Sequence, residues 1–198
     1  MQASKSIILK ASFVILLAVA SLLALPACSV NVNKADNGED KKVDIQTPIG
    51  GIHVSKNADV RDTGLPVYPG ARLREKEDDG EEKSANVNIS SGLFGLKVVA
   101  VEYQSDDTPD KLIAFYKDHL KKFGDVLECR TDSHGESVNI HGSKDDEPKP
   151  LTCEQSSGKN TELKVGNRDN QHIVAIEPQS KGTNFALVYV QTRGKDTI

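Results

Sequence analysis

An excess of basic charge is missing from this chain: lysine and arginine number 25 against 29 aspartates and glutamates, a formal −4. Without a basic face, nucleic acid is excluded as a partner. Phosphate chemistry lacks its marks as well, because there is no P-loop and no dinucleotide fingerprint. Ser91-Gly92-Leu93-Phe94-Gly95 reads as a strand connector. The five histidines, at 53, 119, 134, 141 and 172, never pair at the i, i+2 or i, i+4 spacing that brings two imidazoles to one metal from a single strand or helix. No Gly-x-Ser-x-Gly elbow exposes a serine. Ser133-His134 and Ser137 share a loop with Glu136, but sequence neighbours rarely meet the geometry of a triad. Glu75, Glu77, Asp79 and Gly80 fall at the first, third, fifth and sixth positions of a calcium loop, yet the twelfth is Asn86 rather than a bidentate glutamate. Asp145-Asp146-Glu147, between His141 and two prolines, reads as a solvated loop. The sequence therefore predicts no catalytic residue, no metal and no cofactor.

Long apolar runs are equally rare, and the one present is at the start. Lys5 and Lys10 precede a stretch from Ala11 to Ala27 that is apolar apart from its two serines, which is the layout of a secretory signal. Leu25-Pro26-Ala27-Cys28 closes it and resembles the lipobox of bacterial lipoproteins, in which the cysteine receives diacylglycerol before cleavage. The resemblance implies a signal peptide over 1–27, with lipid (palmitate among the acyl groups) on Cys28, and a body facing the periplasm or cell exterior. Ser29 after that cysteine favours the outer membrane if the cell has one. Two alternatives stand beside it: an uncleaved anchor at the lower edge of bilayer-spanning length, and an ordinary cleaved signal with Cys28 incidental. All three export the body, with the positive end inside. Loss of the two lysines takes the formal charge from −4 to −6.

Three cysteines follow the same logic. With Cys28 assigned to lipid, Cys129 and Cys153 are the only pair in an exported body, and a disulfide between them is predicted. Separate buried thiols or a reactive pair are the alternatives.

Residues 28–42 are rich in Asn, Asp, Lys and Gly and are expected to form a disordered tether. A single domain is expected over 43–198. Val43 to Thr47 and Ile52 to Ser55 alternate as a β-hairpin, and the Gly- and Pro-rich stretch Gly64 to Ala71 excludes helix and central strand. Arg72 to Arg74 and Asn86 to Ser90 flank the acidic run Glu75 to Glu82, with Asp79-Gly80 as a hairpin-type turn. Leu96 to Tyr103 is a strongly apolar strand. Pro109 to Phe123 has nearly every helix signal, with Thr108 before it, Pro109 first, Lys121 and Lys122 late and Gly124 after. Leu112, Phe115, Tyr116, Leu120 and Phe123 gather on one face of that helix. Asp125 to Arg130 is a short strand, Thr131 to Pro150 an exposed excursion, and Thr161 to Val165, Gln171 to Glu177 and Asn184 to Thr192 are strands, the last suited to a central position. The pattern predicts an α+β fold, a largely antiparallel β-sheet packed against one main amphipathic helix at about 109–123.

Leu65-Pro66-Val67-Tyr68-Pro69-Gly70-Ala71 and Thr108-Pro109-Asp110-Lys111-Leu112-Ile113-Ala114-Phe115-Tyr116-Lys117 resemble a turn and a helix found together in small uncharacterised bacterial lipoproteins. The resemblance implies an envelope location and a fold, and no activity. Tyr68, Tyr116 and His119 are the weak ligand candidates. For each the packing reading is the stronger: a turn tyrosine against the helix, a helix anchor in the sheet, and a hydrogen-bonded boundary histidine. The functional expectation is a non-enzymatic, membrane-anchored envelope lipoprotein that binds an envelope protein or surface component. The alternative is a small-ligand carrier or enzyme with a site assembled from scattered residues.

Overall fold

The computed structural model of the chain describes residues 29–33, 42–74, 84–92, 94–132, 150–155 and 157–193. The expected signal peptide, Cys28, the acidic run Glu75 to Glu82 and residues 133–149 of the expected Thr131 to Pro150 excursion lie outside the described residues.

The architecture is mostly antiparallel β-sheet with one helix. The strands are β1 (Ser29–Asn33), β2 (Lys42–Thr47), β3 (Gly50–Ser55), β4 (Arg72–Leu73), β5 (Ser84–Ser91), β6 (Gly95–Ser105), β7 (Leu127–Thr131), β8 (Asn160–Asn167), β9 (Asn170–Pro178) and β10 (Thr183–Arg193). They form one sheet in the order β1-β2-β3-β5-β6-β10-β9-β8-β7, with β4 also on β6. The apolar run of β10 lies between β6 and β9, the central position its near-continuous hydrophobicity calls for.

Helix α1 (Pro109–Leu120) continues as a 3₁₀ turn over Lys121–Phe123 before Gly124. Thr108 takes the extended N-cap conformation, but its side chain makes no capping hydrogen bond. Start-up of the helix instead relies on Pro109, whose fixed φ suits the first position. Leu112, Tyr116 and Leu120 are fully buried, and α1 lies across β8 and β9. They meet Val101, Tyr103, Leu163, Val174, Ile176, Phe185 and Leu187 from alternate positions of four strands. Burial of each leucine stabilises the fold by about 1.5–3 kcal/mol.

Two expectations are corrected. Ser29–Asn33, read as tether, forms β1 and pairs along β2 from Ser29↔Gln46 to Asn33↔Lys42. Backbone pairing to a neighbouring strand outweighs the polar composition. Arg72–Leu73 and the strand after the acidic run do not pair with one another; both lie along the same edge of β6, at Leu73↔Tyr103 and Ser84↔Val101.

The face of the sheet away from α1 carries a different pattern. On its β1-side half, register aligns two aliphatic rows. One runs Val30↔Ile45↔Ile52↔Ile89↔Leu96 and the other Val43↔Val54↔Val87↔Val98. Toward β7 the rows become polar. Cys129 and Cys153 are bonded across this end, with Cα atoms 5.4 Å apart and a sequence separation of 24, a closure that stabilises by about 3 kcal/mol on the chain-entropy model.

Candidate functional site

Antiparallel register places Glu102 opposite Ala186, Ala186 opposite Ala175, and Ala175 opposite Glu162. Strand positions alternate between faces, so this row points away from α1. Two alanines between two glutamates make a depression whose depth is set by the difference in side-chain length. The result is a cavity of about 390 Å³, floored by Ala100, Ala175, Ala186 and Val188 and rimmed by Arg74, Glu102, Glu177, Asn184, Asn160, Thr131 and Glu162.

Both ends of the central row are held. Arg74 donates from Nη1 to Glu102 Oε2 at 3.1 Å, with both side chains about a third exposed. At the other end Lys164 Nζ lies 2.8 Å from Glu162 Oε2, and each of these side chains is only 7% exposed. The two stand at i and i+2 on β8, so they share a face by strand geometry. Nearby, Thr131 donates from Oγ1 to Gln155 Oε1 at 3.2 Å, and the same oxygen accepts the backbone N–H of Asp132 at 3.2 Å. With the Cys129–Cys153 bond, this fixes residues 150–155 beside the β7–β8 rim.

The sequence-derived candidates lie on the opposite face. Tyr68 and Tyr116 come together, the Tyr116 hydroxyl accepting the Tyr68 backbone N–H at 3.1 Å and donating to Pro66 O at 3.2 Å. Burial holds the Tyr116 phenol well above its ordinary pKa. The Tyr68 hydroxyl donates to Asp107 Oδ2 at 2.9 Å, and burial, with that carboxylate beside it, raises its pKa too. His119 joins through Phe115: their rings lie 4.1 Å apart, and its Nδ1 is 2.9 Å from the Phe115 carbonyl one helical turn back. Phe115 also packs edge-on against Tyr68 at 5.1 Å. Every polar atom named in this cluster is engaged by the protein's own backbone or by Asp107.

A further histidine stands out in the structure. His172 on β9 is 9% exposed, donates from Nδ1 to the Thr63 carbonyl at 2.8 Å, and stacks on Phe123 at 3.7 Å. Burial lowers its pKa. Gly64, at φ +70°, lets the chain turn against this stack, since a Cβ there would approach the Phe123 and His172 rings at 3.3 and 3.4 Å.

Among the described residues no three His, Cys, Asp or Glu side chains are grouped to hold a metal ion, and no helix is long and apolar enough to cross a membrane. Sequence reasoning missed the cavity residues. Their one local signal is the alternation Thr161-Glu162-Leu163-Lys164-Val165, which marks Glu162 and Lys164 as sharing a face but says nothing of what neighbours them. Comparison with protein-family models, curated proteins and solved structures finds no match to the chain.

Proposed function

We propose that this chain is a non-enzymatic envelope lipoprotein: a precursor cut before Cys28, held by lipid on that cysteine, whose α+β domain binds a small ligand in the alanine-floored cavity. The observation that carries the binding role is the cavity itself. At about 390 Å³ it sits within the size range of small-molecule sites, roughly 300–1,000 Å³, and it has the required mixture of apolar floor and a few placed polar groups.

Its chemistry narrows the ligand. Three glutamates and one arginine line it, which disfavours polyanions and suits a neutral or cationic molecule with hydrogen-bonding groups around a small apolar body. Glu102 and Glu162 are engaged by Arg74 and Lys164, an arrangement that supports recognition by fixed hydrogen bonds more than proton transfer. The lipobox resemblance at Leu25 to Cys28 supports the anchor, and with it an address at the periplasmic or outer face of a membrane, the outer membrane where one exists. An envelope partner protein is the second reading, served by Val30 and Ile52, which stand exposed on the same face of the sheet.

Native mass spectrometry of the detergent-extracted protein tests the cavity, using Ala186→Trp to fill its floor. A reproducible added mass on the wild type that is lost from Ala186→Trp, at an unchanged melting temperature, supports the binding role. Equal occupancy of the two proteins, or none on either, contradicts it.

A further inference from the structure

Four large hydrophobic side chains stand exposed among the described residues: Val30 (63%), Ile49 (82%), Ile52 and Leu73 (37% each). Three of them share one corner of the sheet. Val30 is in register with Ile45 and, through it, with Ile52, two strand spacings or about 10 Å away. Ile49 lies in the turn between β2 and β3, three residues past Gln46, the partner of Ser29.

Charge avoids this corner. Residues 29–33, 45–52 and 84–96 build it from β1, the β2–β3 turn, and β5 with its turn into β6; they contain no Asp, Glu, Lys or Arg, in a chain that is 27% charged. Asp44, His53 and Lys97 each adjoin a member of the row Ile45↔Ile52↔Ile89↔Leu96 and so point to the opposite face, where His53 and Asp44 pair at 2.8 Å. Side chains at both tips engage main-chain groups. Thr47 donates from Oγ1 to the Gly50 carbonyl at 2.8 Å. Ser91 Oγ donates to the Phe94 carbonyl at 3.1 Å and accepts the Phe94 N–H at 2.9 Å. The tips stand close together, since a Cβ on Gly50 would run into the Ser90 carbonyl oxygen.

We infer that this uncharged corner seats on the bilayer that holds the acyl chains of Cys28, with Val30, Ile49 and Ile52 at the boundary between headgroups and acyl chains. The inference rests on the lipid anchor proposed above. β1 begins at Ser29, the residue bonded to Cys28, so the two Cα atoms are about 3.8 Å apart. No tether separates the lipid from the sheet, and whatever surface surrounds Ser29 lies at the membrane. Charges there are costly, and polar groups need partners within the protein; the corner meets both conditions. The lipid alone leaves the domain free to swivel about its attachment. Three apolar side chains beside it fix the attitude of the sheet, and with it the direction in which the cavity opens.

The test uses the full chain reconstituted in vesicles of phosphatidylethanolamine and phosphatidylglycerol, doped with a lipid whose acyl chain bears a nitroxide that quenches a nearby nitrobenzoxadiazole label. Ile49→Cys, Ile52→Cys and Leu73→Cys carry the label in turn, and the wild-type chain sets the background. Leu73 is as exposed as Ile52, but its partner Tyr103 lies seven residues along β6 from the Leu96 of the Ile52 row, about 24 Å. Quenching is expected to be several-fold stronger at positions 49 and 52 than at 73, and Ile49→Asp added to Ile52→Cys lowers it to the level of position 73. The intact mass of the same preparation reports separately on Cys28. With Cys28 acylated, equal quenching at the three positions overturns the docking, leaves the anchor, and gives the corner to a partner protein. With Cys28 unmodified, stronger quenching at 49 and 52 removes the anchor and leaves the docking, whereas equal quenching removes both.

Discussion

The phenolic oxygen of Tyr116 accepts the backbone N–H of Tyr68 at 3.1 Å, across 48 residues of sequence and in a fully buried position. The same hydroxyl donates to the carbonyl of Pro66 at 3.2 Å. One side chain of the helix thus satisfies two main-chain groups of a turn that belongs to no sheet ladder.

Tyr116→Phe is expected to leave both groups unpaired and to cost about 1–3 kcal/mol. For a domain of this size that lowers the melting temperature by roughly 2–4 °C per kcal/mol. Tyr68→Phe, which removes only the half-buried bond to Asp107, costs less, about 0.5–1.5 kcal/mol. Urea midpoints at unchanged m-value read both. Equal effects of the two substitutions would refute the assignment of Tyr116 as the turn's anchor.

The Glu162–Lys164 pair, with each side chain 7% exposed, makes a prediction of a different shape. Lys164→Met alone strands a carboxylate in a dry setting and is expected to cost about 3–5 kcal/mol. Adding Glu162→Leu removes the stranded charge and recovers most of that loss. A double variant as unstable as the sum of the two single variants would show that the residues act independently.

His172 ties stability to pH. Its pKa in the native protein is lowered from 6.5 by burial, so unfolding takes up a proton wherever the unfolded ring is charged and the native ring is not. Stability is complete above 6.5 and falls as pH drops from there toward the lower native value. His172→Asn is expected to flatten the dependence of melting temperature on pH in that window. A second loss remains at more acidic pH in the variant. There Asp107, held low by Lys111 and then Tyr68, and Glu128, held low by Lys117, take up protons. An unaltered slope just below 6.5 would assign it to other groups.

Much of the fold was legible because its signals are local. Pro109, the early Asp110 and the late lysines mark the helix within fifteen positions, and a count of three cysteines with one assigned elsewhere leaves the Cys129–Cys153 bond. The alternation of Val43 to Thr47 and Ile52 to Ser55 reads as the hairpin formed by β2 and β3. What escaped is set by partners distant in sequence. Ser29–Asn33 has only two apolar residues, and its strand character comes from pairing with Gln46 to Lys42. The cavity is less legible still. Its floor is three alanines and a valine from β6, β9 and β10, and no single strand shows that its small residue will meet another strand's small residue in register. His119 drew attention over His172 because helical periodicity can be seen in sequence, whereas the Thr63 carbonyl that engages His172 lies 109 residues away.

The most direct measurement is the intact mass of the protein purified from the membranes of a cell that expresses the full chain. A lipid-anchored binding protein gives a mass that begins at Cys28, carries diacylglycerol or a further acyl group, and is two hydrogens lighter for the Cys129–Cys153 bond. A chain that retains residues 1–27, or one that begins at Cys28 with an unmodified thiol and washes from the membrane, would contradict the anchor on which the proposed role depends.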